Sequence, residues 1–137
     1  MWKGVVVLEE FIMNTKVYMG EGSCEKIYEF SIKRAFIFCD PFMQQSGKID
    51  LVVKKLADMH AEYRIFAEVV PDPDMTVIQK GLNQLNSFRP DTVFALGGGS
   101  AIDTAKAVVH LYAKMHDIVR PHVVALPTTS GTGSEVT

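Results

Sequence analysis

The stretch Ala95-Leu96-Gly97-Gly98-Gly99-Ser100-Ala101-Ile102-Asp103 joins an apolar strand to an amphipathic helix through three consecutive glycines. Glycine accepts positive φ and lets an anion approach the main chain. The helix that follows adds unpaired N–H groups and the positive end of its dipole. A dinucleotide pyrophosphate suits such a turn. Ser100 and Asp103 also have the spacing of a capping box, in which Ser100 starts the helix and the two side chains satisfy each other's amides. Capping alone needs neither three glycines nor a position at the end of a buried strand, where open α/β sheets bind ligands. The placement therefore favours phosphate binding.

Two related loops do not fit. No Gly-Lys-Ser/Thr follows, so the lysine and magnesium-binding hydroxyl of a P-loop are missing, and Gly97-Gly98-Gly99 lacks the Gly-x-Gly-x-x-Gly spacing. The acidic strand end of this chain, Asp40, precedes the glycines. In the ordinary Rossmann pattern the ribose-binding acid follows them by about 20 residues.

Working outward, strands and helices alternate. Ala35–Cys39 is a continuous apolar run, read as a strand buried on both faces and closed by the turn Asp40-Pro41. Residues 48–60 carry apolar side chains at helical spacing, and a second strand is expected over about 63–70. Pro71-Asp72-Pro73-Asp74 ends it. Asp74 or Thr76 can cap a helix with Ile78, Gly81, Leu82, Leu85 and Phe88 on one side, stopped by Arg89-Pro90-Asp91. Thr92–Leu96 is the strand before the glycines. Ile102, Ala105, Val108, Val109, Tyr112 and Met115 form the stripe of the helix after them, and Val123–Leu126 makes a last strand. Near the N-terminus, Phe11–Met13 and Val17–Met19 read as a short hairpin ending at Gly20-Glu21-Gly22, with a short helix from Ser23. The fold expected is α/β, a Rossmann-like, mainly parallel sheet flanked by helices with an N-terminal β-hairpin.

The composition narrows the partners. The chain has 137 residues, 47% hydrophobic and 22% charged, which suits one globular domain. A net charge of −2 without a basic stripe argues against nucleic acid and against a membrane surface. No run approaches the roughly 18 apolar residues of a membrane span, and no secretory signal pattern opens the chain, so a cytoplasmic protein is expected. Cys24 and Cys39 have no Cys-x-x-Cys spacing and are read as reduced structural thiols. His60, His110, His116 and His122 have no metal-ligand spacing, so no metal ligand is assigned.

Asp40 at a strand end can accept hydrogen bonds from both hydroxyls of an adenosine ribose while its charge repels the extra phosphate of NADP, which points to NAD. A plain turn is the other reading, and Asp40 alone leaves both open. The segment Leu126-Pro127-Thr128-Thr129-Ser130-Gly131-Thr132-Gly133-Ser134-Glu135 supplies hydroxyls and glycines after the last strand. In a parallel sheet it lies on the same rim as Gly97–Ser100.

Taken together, Gly97-Gly98-Gly99-Ser100-x-x-Asp103-x-Ala105-Lys106 and Pro127-Thr128-Thr129-x-Gly131-Thr132-Gly133-Ser134-Glu135 closely resemble the iron-containing alcohol dehydrogenase family. The likeness extends to Gly20-x-Gly22, the Asp40 strand end and Val70-Pro71-Asp72-Pro73, and so to nearly the whole chain. It implies that residues 1–137 are a dehydroquinate synthase-like N-terminal α/β domain. Gly98, Gly99, Ser100 and Asp103 would serve the pyrophosphate motif, and Asp40 the ribose. Thr128, Thr129 and Thr132 would line the cleft, with Asp72 beside it. The family passes hydride between a nicotinamide cofactor and a primary alcohol or aldehyde, with a divalent metal, iron or zinc, polarising the substrate oxygen. Its metal ligands belong to a helical domain with no counterpart in these residues, so the resemblance implies a fragment that by itself binds a nucleotide at most. Alternatives are a glycerol dehydrogenase-like relative and a non-catalytic nucleotide-binding module. Homo-oligomers are common in the family, which makes the hairpin either an interface strand or an ordinary sheet edge.

Overall fold

The computed structural model describes residues 15–128. A 3-10 helix (Ser23–Glu29) precedes the strands β1 (Arg34–Cys39), β2 (Glu62–Phe66), β3 (Thr92–Gly97) and β4 (His122–Pro127). The helices are α1 (Pro41–Gln45) and α2 (Asp50–Asp58) between β1 and β2, α3 (Met75–Phe88) before β3, and α4 (Gly99–His116) before β4. All pairings are parallel, in the order β2-β1-β3-β4.

This order follows from burial. Every residue of β3 and all but the first of β1 are buried, so these two strands take the centre. β2 and β4, with exposed positions, take the edges. Side chains alternate across the sheet. Phe36, Phe38, Val93 and Ala95 face one core with α3 and α4. Ala35, Ile37, Cys39, Phe94 and Leu96 face the other, with α1, α2 and the 3-10 helix. The chain moves outward from β1 to β2, then back over β1 to β3 and on to β4. Right-handed crossovers put the helices of outward and return paths on opposite faces, as found.

Each helix of the return path has a local cause. Asp74 caps α3, its carboxylate accepting from the amides of Thr76 (3.0 Å) and Val77 (3.1 Å), and Arg89 ends it in the left-handed region at φ 55°. Ile78, Gly81, Leu82, Leu85 and Phe88 are all buried, as the periodicity requires. A Cβ on Gly81 would stand 3.1 Å from Phe38 Cε1 and 3.5 Å from Val108 Cγ2. The missing side chain thus sets how closely α3 approaches the sheet and α4, in exchange for about 1 kcal/mol of helix propensity.

At the N-terminal edge of the sheet, Asp91 ties the central strands. Its Oδ2 accepts from the amides of Lys33 and Arg34, both at 2.9 Å, and its Oδ1 accepts from the Thr92 hydroxyl at 2.7 Å. The Asp91 amide donates to Arg34 O at 3.0 Å, and the amide of His122 donates to Asp91 O at 3.0 Å. The Arg34 guanidinium extends this tie to α3: Nε and Nη2 donate to Phe88 O at 3.1 and 2.6 Å, and the group stacks on the Phe88 ring.

Several expectations are corrected. Asp40-Pro41 is not a bare turn, because it opens α1, with Asp40 as its N-cap and Pro41 in the first helical position, where a missing N–H costs nothing. β2 is shorter than 63–70: after Phe66 the chain leaves the ladder, and the Val69 amide returns to donate to Cys39 O at 3.2 Å. Met115 is exposed because the last turn of α4 runs past the core. Phe11–Met13 of the expected hairpin lies outside the described residues. Val17–Met19 forms no strand pairing among them.

Replacing Asp91 with alanine leaves two backbone amides without their acceptor at an exposed position. The expected loss is about 1–3 kcal/mol of unfolding free energy, read by urea denaturation with an unchanged m-value. A loss below about 0.5 kcal/mol would show that the strand ends hold without the carboxylate.

Candidate functional site

A parallel sheet delivers the C-terminal ends of all its strands to one rim. The chain turns away in opposite directions after β1 and β3, so the crevice of this topology opens between Cys39-Asp40 and Gly97-Gly98. Four helices begin on that rim, and their first turns differ; α2 has no side-chain cap and carries Asp50 in its first turn. α1 is closed by Asp40, whose Oδ1 accepts from the Met43 amide at 2.9 Å, and α3 is closed by Asp74. α4 has no side-chain cap and no acidic residue in its first turn.

The glycines explain the difference. Gly97 ends β3 at φ +140°, a conformation that strains any other residue, and a Cβ there would stand 3.3 Å from the Cβ of Ala101. Gly98 is the N-cap, extended at φ −89° and ψ −163°, and Gly99 is already helical. Ser100 is therefore the second helical residue, which overturns the capping box with Asp103. The chain completes its reversal on Gly97 and Gly98, before the serine is reached. Gly99, Ser100 and Ala101 open an 18-residue helix with no side-chain cap, at its positive dipole end. These backbone donors and the bare glycine surface have the chemistry to meet an anion.

The other candidate residues fall around this centre. Thr128, exposed at the end of β4, is tied to the loop by its amide, which donates to Gly97 O at 2.9 Å. Asp72 lies in the exposed loop after β2 at φ 47°. Asp103 is exposed and one turn into α4. Thr129 and Thr132 lie outside the described residues. The structure thus brings Asp40, Gly98, Gly99, Ser100, Asp72 and Thr128 to one rim, with Asp103 on the helix that rises from it.

One buried polar side chain carried no signal in the sequence. Thr104, in the second turn of α4, is fully buried with no hydrogen-bond partner for its hydroxyl. Nothing in its neighbours' sequence marks it. Cys39, directly before Asp40, is fully buried, and burial followed by the Asp40 charge pushes its thiol from an ordinary 9.0 to about 11. It is therefore inert at neutral pH, consistent with a structural thiol.

Among the described residues no helix is long and apolar enough to cross a membrane, and no three His, Cys, Asp or Glu side chains converge to hold a metal ion.

Fold and rim together define a parallel α/β domain with its candidate site at the topological switch point. The chain belongs to the iron-containing alcohol dehydrogenase family, whose model matches residues 14–137. It is 40% identical over 131 residues to 1-propanol dehydrogenase PduQ of Citrobacter freundii, covering 95% of this chain and 35% of that protein. It therefore spans about a third of the length of that relative. Among solved structures it resembles the iron-containing alcohol dehydrogenase of Thermococcus thioreducens, with a TM-score of 0.83 and 27% identity over 93% of this chain and 39% of that one. It also resembles sulfoacetaldehyde reductase of Bifidobacterium kashiwanohense in complex with NAD+, with a TM-score of 0.69 and 28% identity over 86% of this chain and 35% of that one. The divalent metal of the family finds no ligand set among the described residues.

The two thiols should differ sharply. With an aromatic disulfide reagent at pH 8, half-buried Cys24 is expected to react in the folded protein and Cys39 only after denaturation. Because the folded Cys39 value lies above the unfolded one, stability is unaffected by this group below about pH 9 and falls as the pH rises from there toward about 11. A Cys39→Ala variant with the same alkaline decline would assign that decline to other groups.

Proposed function

We propose that this chain binds the nicotinamide dinucleotide of an alcohol dehydrogenase, and that the whole protein transfers hydride between that cofactor and a primary alcohol or aldehyde. The observation that carries the reading is the open first turn of α4 at the switch point, beside two helices whose first turns are closed by aspartates. Family membership and the likeness to a reductase bound to NAD+ support it.

In this reading the amides of Gly99 and Ser100, with the Ser100 hydroxyl, receive the pyrophosphate across the bare surface of Gly98. The sheet order puts Asp40 one strand away from Gly97. Neighbouring strands lie about 4.8 Å apart, which suits the step from pyrophosphate to adenosine ribose. One Asp40 oxygen is engaged by the Met43 amide, and this bond orients the carboxylate. The other oxygen is directed to the ribose hydroxyls and disfavours a 2′-phosphate. Asp72 and Thr128 border the site on either side, Asp103 flanks it on α4, and Thr129 and Thr132 extend the hydroxyl lining by motif. Bound there, the nicotinamide supplies the hydride acceptor. The residues of this chain bind and orient it.

Asp40→Asn keeps the α1 cap, since Asn and Asp cap equally well, but removes the charge. NADH binding measured by calorimetric titration is expected to weaken by about 1–2 kcal/mol while NADPH binding improves. Equal and unchanged affinities for both would sink the ribose assignment. Ser100→Ala removes no cap, because Gly98 is the N-cap, and should change stability by less than about 0.5 kcal/mol yet weaken NADH. A variant that binds as tightly as the unchanged chain would leave the pyrophosphate to the backbone alone.

A further inference from the structure

The Thr104 hydroxyl is enclosed in the second turn of α4 without a hydrogen bond, and an unpaired buried hydroxyl costs stability. A threonine inside a helix commonly donates to the carbonyl four residues back, here Ser100 O, and Thr104 does not. Its neighbours fix its place on the helix. His116 meets Asn86 of α3 on one flank, Val108 stands opposite Gly81, and Ala101 lies against Gly97 at the end of β3. By helical spacing Thr104 falls on the flank away from His116, with half-buried Ser100 one turn nearer the helix start on the same side. Residues four apart on a helix have Cβ atoms about 5–6 Å apart, within reach of a bond between two hydroxyls. A serine hydroxyl holds one proton and two lone pairs. Once it donates that proton to a phosphate oxygen it is left to accept, and Thr104 offers a donor from the turn behind it.

We propose that Thr104 is a positioning residue for the diphosphate: with ligand at the open turn of α4, its hydroxyl donates to Ser100 Oγ, and the Ser100 hydroxyl donates to the phosphate. The inference rests on the cofactor reading above and adds a residue that reading does not use. Thr104 itself touches no ligand. Its burial keeps solvent from taking the place of Ser100, and two hydrogen bonds in a chain polarise each other, so the serine becomes the better donor. The bond from Thr104 is unmade without ligand and made with it. Its free energy therefore counts toward binding and not toward folding.

The test is titration of the unchanged chain and its variants with inorganic pyrophosphate and NADH, beside thermal unfolding without ligand. Thr104→Val keeps the shape of the side chain and is expected to melt no lower than the unchanged chain, yet to bind both ligands about three- to tenfold more weakly. Thr104→Ala should lose the same affinity although it also leaves a void, and Thr104→Ser should restore the affinity. In a Ser100→Ala background Thr104→Val changes neither ligand, because the acceptor is gone. Unchanged affinity in Thr104→Val, or the same loss with and without Ser100, would overturn the relay while the cofactor reading stands. So would a melting temperature lowered by Thr104→Val but not by Thr104→Ser, since the hydroxyl would then be partnered without ligand. Failure of the unchanged, folded chain to bind NADH would overturn the cofactor reading, and the relay with it.

Discussion

The Asp91 carboxylate, accepting from two successive amides of the strand beside it, is the tie on which the geometry of the rim depends. It fixes Ala35 opposite Thr92 at the N-terminal edge, and from there the ladder runs in register to Cys39 opposite Leu96. A slip of one residue would turn every side chain of β1 to the wrong face. It would also move Asp40 away from the glycine loop. The chemistry at one end of the sheet is thus set by a carboxylate at the other, five residues along each strand. Arg34 carries the same tie to the end of α3, so strand register and helix position are determined together.

Most of the elements were legible because burial imposes a period. α3 is the clearest case, since all its expected core positions are buried, and the apolar runs of β1 and β3 gave the two central strands. Short elements were less legible. α1 spans five residues, too few for a helical period, and only its capping geometry distinguishes it from the turn that Asp40-Pro41 suggests. The role of Asp91 was hidden for another reason. Its partners Lys33 and Arg34 are distant in sequence, so the residue read only as a helix stop.

The site was legible where backbone chemistry dictates residue type. Three glycines at the end of a buried strand leave few uses other than a close approach to the main chain. Which residue starts the following helix was not legible, because Ser-x-x-Asp is a valid local pattern whether or not the chain has already turned. The conformations of Gly97 and Gly98 decide it, and they leave α4 uncapped while α1 and α3 are capped by aspartate. A helix end left open costs stability unless something other than a side chain fills it. That cost, set beside two neighbours that avoid it, is why the reading of the site centres on α4.

Gly81 has a consequence for how this sequence can change. The ring of Phe38 and a methyl group of Val108 meet at the space where its side chain would be. An alanine at 81 would improve the helix in isolation, yet it would press on a ring that the sheet holds from behind. Substitution becomes easy only when a smaller residue at 38 or 108 makes room. Across related chains, these three positions should therefore covary as a set, with the glycine and the phenylalanine inherited as a pair.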